Sequence, residues 1–71
     1  MGKNKYNRIK VVLAEKGKTN KWLAHEMGKD ISTVSRWCTN DMQPSIDALF
    51  QIATLLVVPP RELLADIDPD R

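Results

Sequence analysis

Cys38 and His25 are the chain's single thiol and single imidazole, and neither has the partners its chemistry needs. A structural zinc site wants four thiolate or imidazole ligands at short spacings, so no metal is expected, and no cofactor. One cysteine cannot close an intramolecular disulfide, and an isolated thiol fits a reducing compartment; Cys38 is read as unreactive. His25 and Glu26 adjoin, but no third member stands by to complete an acid–base constellation, and both are read as solvated. Phosphate-cradling glycine loops, nucleophile–base pairs and carboxylate constellations are equally missing. The chain is therefore not expected to be an enzyme or to take a small-molecule substrate.

Charge points elsewhere. The net charge of +2 is uninformative, but residues 1–36 hold nine of the eleven basic groups against three acids, a balance of +6. Residues 37–71 hold the other two basic groups and six acids, a balance of −4. Such asymmetry suits one face turned to a polyanion and another turned away; an unevenly charged solvated surface is the plainer alternative. RNA gets no support, because no aromatic stacking platform stands at plausible surface positions. The longest apolar stretch, Leu55 to Pro60, is too short to span a bilayer. No long apolar segment follows the basic start as in a secretory signal, and Gly2 lacks the Ser or Thr of a myristoylation signal. A soluble, cytoplasmic protein with no membrane partner is expected.

The elements that position these groups read as helices. Tyr6, Ile9, Val12 and Leu13 recur at helical spacing, and Gly17 stops that segment. Thr19 suits the N-cap of a second helix carrying Leu23, Ala24 and Met27, with Gly28 as its C-cap. Asp30 caps a third, with Val34 and Trp37 three residues apart on one face. Cys38 to Pro44 has no periodicity and reads as a loop. Ser45 caps a fourth helix, with Asp47 in its first turn to suit the dipole and Ile46, Leu49, Phe50, Ala53 and Leu56 as a wide apolar stripe. Pro59-Pro60 ends it and opens a short fifth helix, Arg61 to Ala65. The acidic tail from Asp66 to Arg71 is expected to fray. Period-two alternation is missing, so no strands are placed.

The prediction is an all-α fold of five short helices, one domain over residues 1–71 with its core at about 6–65. Leu23, Met27, Val34 and Trp37 belong to that core, and Trp22 is half-buried against the first helix. So thin a core wants good packing or a partner subunit.

Helices two and three, joined through Gly28-Lys29, form a helix-turn-helix candidate, in which the second helix enters the major groove. Glycine permits the positive φ a tight turn needs. That spacing alone is also met in ordinary helical hairpins.

The run Gly17-Lys18-Thr19-Asn20-Lys21-Trp22-Leu23-Ala24-His25-Glu26-Met27-Gly28, continuing Lys29-Asp30-Ile31-Ser32-Thr33-Val34-Ser35-Arg36-Trp37, resembles the XRE/Cro/C1-type, lambda repressor-like helix-turn-helix family. Its pattern is G-x-S/T-Q-x-x-L-A-x-x-L-G-V-S/T-x-x-S/T-I/V-S. Pro44-Ser45-Ile46, Leu49, Ile52-Ala53, Leu56 and Glu62-Leu63-Leu64 resemble the family's fourth and fifth helices, so the likeness covers about residues 8–65.

The resemblance implies sequence-specific binding of double-stranded DNA by a transcriptional regulator, a repressor. Ile31, Ser32 and Arg36 fall at the base-reading positions. Arg36 has the fork for guanine O6 and N7, Ser32 a short donor or acceptor, and Ile31 an apolar surface for a thymine methyl. Thr19, Asn20 and Thr33 match positions that contact the phosphate backbone, with Lys21 and Lys29 close enough to help. Pairing of half-sites implies a homodimer, with Leu56, Val58, Pro60 and Leu64 as the expected seam.

Three positions depart from the pattern. Asn20 stands where the family has Gln, so its shorter amide is expected to reach phosphate and to fall short of the recognition helix. Cys38-Thr39-Asn40-Asp41 replaces a turn with Lys or Arg, removing one backbone clamp. Val57 replaces a C-cap glycine, and a β-branched residue resists φ > 0, so helix four is expected to end differently. The alternative function is a protein-interaction module, antitoxin-like, that uses the same fold to meet a protein.

Overall fold

The computed structural model describes residues 5–65; the tail expected to fray lies outside them. Four α-helices follow in order: α1 (Ile9–Glu15), α2 (Asn20–Met27), α3 (Ile31–Cys38) and α4 (Ile46–Leu56). The fifth element is a 3-10 helix over Pro60–Leu63, not an α-helix from Arg61 to Ala65. Pro59 and Pro60 preset φ for a helical entry, and Leu64 is already extended at φ −100°, ψ 139°.

Local hydrogen bonds explain most boundaries. Thr19 caps α2 by accepting from the Trp22 N–H at 3.0 Å, and Ser45 caps α4 by accepting from the Ala48 N–H at 3.1 Å. Gly28 ends α2 in the left-handed region at φ 64°. Asp30 holds the N-cap position of α3 with extended backbone, but its side chain makes no capping bond. α3 runs on through Cys38, so the loop begins one residue later than the sequence suggests.

Two expectations about α1 and α4 are corrected. Tyr6 precedes α1 and is exposed; its place on the first stripe is not realised. Along α4 the buried face is Ala48, Leu49, Ile52, Ala53 and Leu56, while Ile46 and Phe50 are 69% and 55% exposed. Eight of the eleven residues of this helix are apolar, leaving only Asp47, Gln51 and Thr54 as a polar stripe, so the apolar face read from sequence spreads wider than the face the neighbouring elements cover.

Val57 does not make α4 end differently. It takes the glycine geometry, φ 58° and ψ 50°, and the Val58 N–H reaches back to the Ala53 carbonyl at 3.0 Å. That bond satisfies one of the carbonyls a helix end leaves open.

The core gathers Ile9, Val12 and Leu13 from α1, Leu23 and Ala24 from α2, Val34, Trp37 and Cys38 from α3, the buried face of α4, and Leu63. Trp22, Met27, Leu55 and Val58 pack around it, half-buried. Burying one such Leu, Ile or Val side chain contributes roughly 1.5–3 kcal/mol, which is why four short helices suffice. Trp22 also lies under the Lys18 ammonium, 4.8 Å from the ring centroid.

The two ends of the described chain close on each other. Arg8 N–H donates to the Leu63 carbonyl at 2.8 Å and Ala65 N–H to the Tyr6 carbonyl at 2.9 Å, around an isolated antiparallel bridge between Asn7 and Leu64. Behind this clasp sits Asn40, at φ 62°. Its Oδ1 accepts from the Tyr6 and Asn7 N–H groups at 2.9 and 3.1 Å, and its Nδ2 donates to the Asn7 carbonyl at 3.2 Å. Asn7 in turn donates to the Trp37 carbonyl and to Gln43 Oε1, and accepts from the Ile9 N–H to start α1. Both asparagines are buried and fully partnered, so the end of α3 is tied to the start of α1.

Candidate nucleic-acid interface

Helices α2 and α3 meet through the turn at Gly28. Its N–H and that of Lys29 bond back to the carbonyls of His25 and Ala24, at 3.2 and 2.9 Å. A Cβ on Gly28 would meet nothing within 4 Å. The positive φ alone therefore favours glycine, because an L-residue there costs about 1–2 kcal/mol. The turn brings the start of α3 out while its other face stays in the core.

The inner face of α3 is Val34 and Trp37, 0% and 4% exposed. On the outer side Ile31, Ser32 and Arg36 are all exposed. At about 100° per residue, Arg36 lies only about 40° round from Ser32, one turn along, and Ile31 flanks them. No hydrogen bond or ion pair with a described residue holds the Arg36 guanidinium. Ser32 and Arg36 therefore share one open face, with Ile31 exposed about 100° round from Ser32 at the first turn, on a helix immobilised from behind.

Of the positions nominated for phosphate contact, Thr19, Lys21 and Lys29 are exposed, and Asn20 and Thr33 are half-buried. Thr19 and Asn20 open α2; Lys29 and Thr33 flank the start of α3. The Thr19 hydroxyl already accepts from Trp22 N–H, leaving its own proton for another acceptor. Asn20 does more than expected. Its Oδ1 accepts from the Cys38 thiol at 3.2 Å, so the shorter amide does reach the recognition helix, at its far end. The bond leaves the Asn20 NH2 group available to a phosphate oxygen.

Cys38 is buried, and that burial raises its pKa above 9.0, with the Lys10 ammonium acting in the opposite sense. A neutral thiol that donates to an amide is a packing group, as the sequence suggests. His25 and Glu26 are exposed and adjacent, with Nδ1 and Oε2 3.7 Å apart. Among the described residues no three His, Cys, Asp or Glu side chains could hold a metal ion, and no helix is long and apolar enough to cross a membrane.

The expected dimer seam changes character. Leu56 is 2% exposed and belongs to the core, so it offers nothing to a second subunit. Val58 and Pro60 are half-buried, and only Leu64 stands well out. Lys5 and Lys10, exposed beside the end of α3, were not singled out by sequence. The surplus positive charge of residues 1–36 was their only signal.

A family model described as helix-turn-helix matches residues 9–63. The chain belongs to the helix-turn-helix family. The match takes in all four α-helices and the 3-10 helix, and agrees with the XRE/Cro/C1-type resemblance of the sequence. The helix-turn-helix chain is similar in structure to a candidate DNA-binding protein from Bacteroides fragilis, at 60% identity and a TM-score of 0.84. That likeness covers 84% of this chain and 97% of the other. No curated protein matches.

Proposed function

We propose that this helix-turn-helix domain binds double-stranded DNA sequence-specifically as a small transcriptional regulator, a repressor, with α3 in the major groove. The observation that carries it is the two-sided character of α3: Val34 and Trp37 locked in the core, Ile31, Ser32 and Arg36 open and unengaged. A groove-reading helix needs both properties, since base readout requires side chains held in fixed register and free to bond. Thr19, Asn20, Lys21, Lys29 and Thr33 then hold phosphates on either side. The similarity to the Bacteroides fragilis protein supports the same reading.

Selection of bound sites from a random duplex library tests it. The expected result is a short enriched motif, with affinity falling steeply as salt rises. Recovery of unenriched sequences would leave only non-specific binding.

A second reading has its own observation. Ile46 and Phe50 lie one turn apart on α4, well exposed, and such apolar side chains suit a protein partner of an antitoxin-like module. Under that reading duplex selection enriches nothing and Phe50→Ser abolishes the partner complex.

A further inference from the structure

We propose that the groove between the start of α1 and the end of α3 holds a DNA backbone phosphate, with Lys10 as its main cation and Lys5 beside it. The proposal rests on the DNA-binding reading above and extends its footprint onto an element outside the helix-turn-helix.

The groove has a volume of about 260 Å³, and Lys5, Asn7, Lys10, Val11, Cys38 and Thr39 contribute to its walls. Arg8 also lines it, but its Nη1 is committed to the Glu62 carbonyl at 3.0 Å. Lys5 and Lys10 are not committed: neither forms an ion pair or hydrogen bond with a described residue. Lys10 is close enough to act electrostatically on the Cys38 thiol, and that thiol donates to Asn20 at 3.2 Å. Cys38 at the end of α3 is therefore a neighbour both of Lys10 on α1 and of Asn20 at the start of α2. The loop after α3 holds Asp41 and no cation between Thr39 and Ser45. On that flank of the recognition helix, positive charge comes from α1 instead. An ammonium on a four-carbon stem is suited to a phosphate oxygen, as a mobile point charge with three donors.

The test measures duplex affinity across a salt series for wild type, Lys10→Ala, Lys5→Ala, Lys10→Arg and Arg61→Ala. Arg61 is exposed in the 3-10 helix, outside the proposed footprint, and controls for the loss of one positive charge. Each phosphate contact adds about 0.9 to the slope of log affinity against log salt. Wild type should therefore lose roughly 3.5-fold more affinity than Lys10→Ala between about 50 and 200 mM salt. Lys10→Arg and Arg61→Ala should keep the wild-type slope, and Lys5→Ala should lower it. The loss should be equal on preferred and random duplexes, since a phosphate carries no sequence. If wild type shows no salt-dependent duplex binding, the DNA reading and the groove fall together. If wild type binds but Lys10→Ala keeps its slope, or Arg61→Ala loses as much, the groove alone is overturned.

Discussion

Arg36 and Lys21 are both exposed cations on the helix-turn-helix, and their chemistry separates them. A guanidinium that grips guanine O6 and N7 gives about 1–3 kcal/mol of discrimination. Arg36→Ala should cost that much on the preferred site and flatten preference at one base-pair position. Lys21→Ala and Lys29→Ala should weaken all sequences alike and reduce the salt slope by about one unit. Equal loss on specific and random duplexes would make Arg36 a phosphate contact. At Cys38, burial holds the folded thiol's pKa above 9.0. Because the folded value is the raised one, the stabilising effect is fully present below the unfolded pKa and is lost as pH rises through the folded one. The stability gap between wild type and Cys38→Ala should therefore be constant at neutral pH and narrow above pH 9.0; a gap unchanged up to pH 11 would show a thiol as free to ionise folded as unfolded.

The elements show which parts of the fold were legible in advance. Thr19, Ser45 and Gly28 act within their own turns, so residue type and spacing announce them. Asn40 takes the left-handed conformation, and its bonds to Asn7 cross 33 residues, so nothing local signals them. Ile46 and Phe50 have the right type for a core yet sit at the edge of the apolar face, beside the polar stripe of Asp47, Gln51 and Thr54. The open surface of Ser32 and Arg36 was readable because the helical period sets both at least about 100° round from Val34 and Trp37, whereas Ile31, only about 60° from Val34, is open at the first turn of the helix; Lys10 was hidden because its place depends on how α1 packs. Val57 and Gly28 share the left-handed geometry with opposite consequences. Val57→Gly removes β-branched strain at a position 82% exposed. It should stabilise by about 1 kcal/mol, raising Tm by roughly 4–8 °C. Gly28→Ala introduces the same kind of strain and should lower stability by about 1–2 kcal/mol. Calorimetry on the pair checks both signs at once.

Across the whole molecule, cations outnumber acids nine to three before residue 37, the stretch that carries α1, α2 and most of α3, and such an excess favours approach to a polyanion. One recognition helix reads few base pairs, so a homodimer on two half-sites about one helical turn apart is the expected assembly. Burial of Leu56 narrows its seam to Leu64, with Val58 and Pro60 contributing partly. Leu64→Asp should leave the monomer's Tm nearly unchanged and abolish cooperative occupancy of paired half-sites. Footprinting over a protein titration measures this, and a single protected half-site with wild type would remove the dimer.

The clasp at Asn40 also fixes how the molecule breathes. Arg8 and Ala65 are far apart in sequence, but their amides bond across the same closure, to Leu63 and Tyr6. Neither end can fray alone, so both amides should exchange their hydrogens for deuterium through one shared opening. Asn40→Ala should speed both by the same factor while amides in the middle of α4 exchange at their former rate. The two ends of the described chain thus form a single unit of local unfolding, anchored where the recognition helix stops.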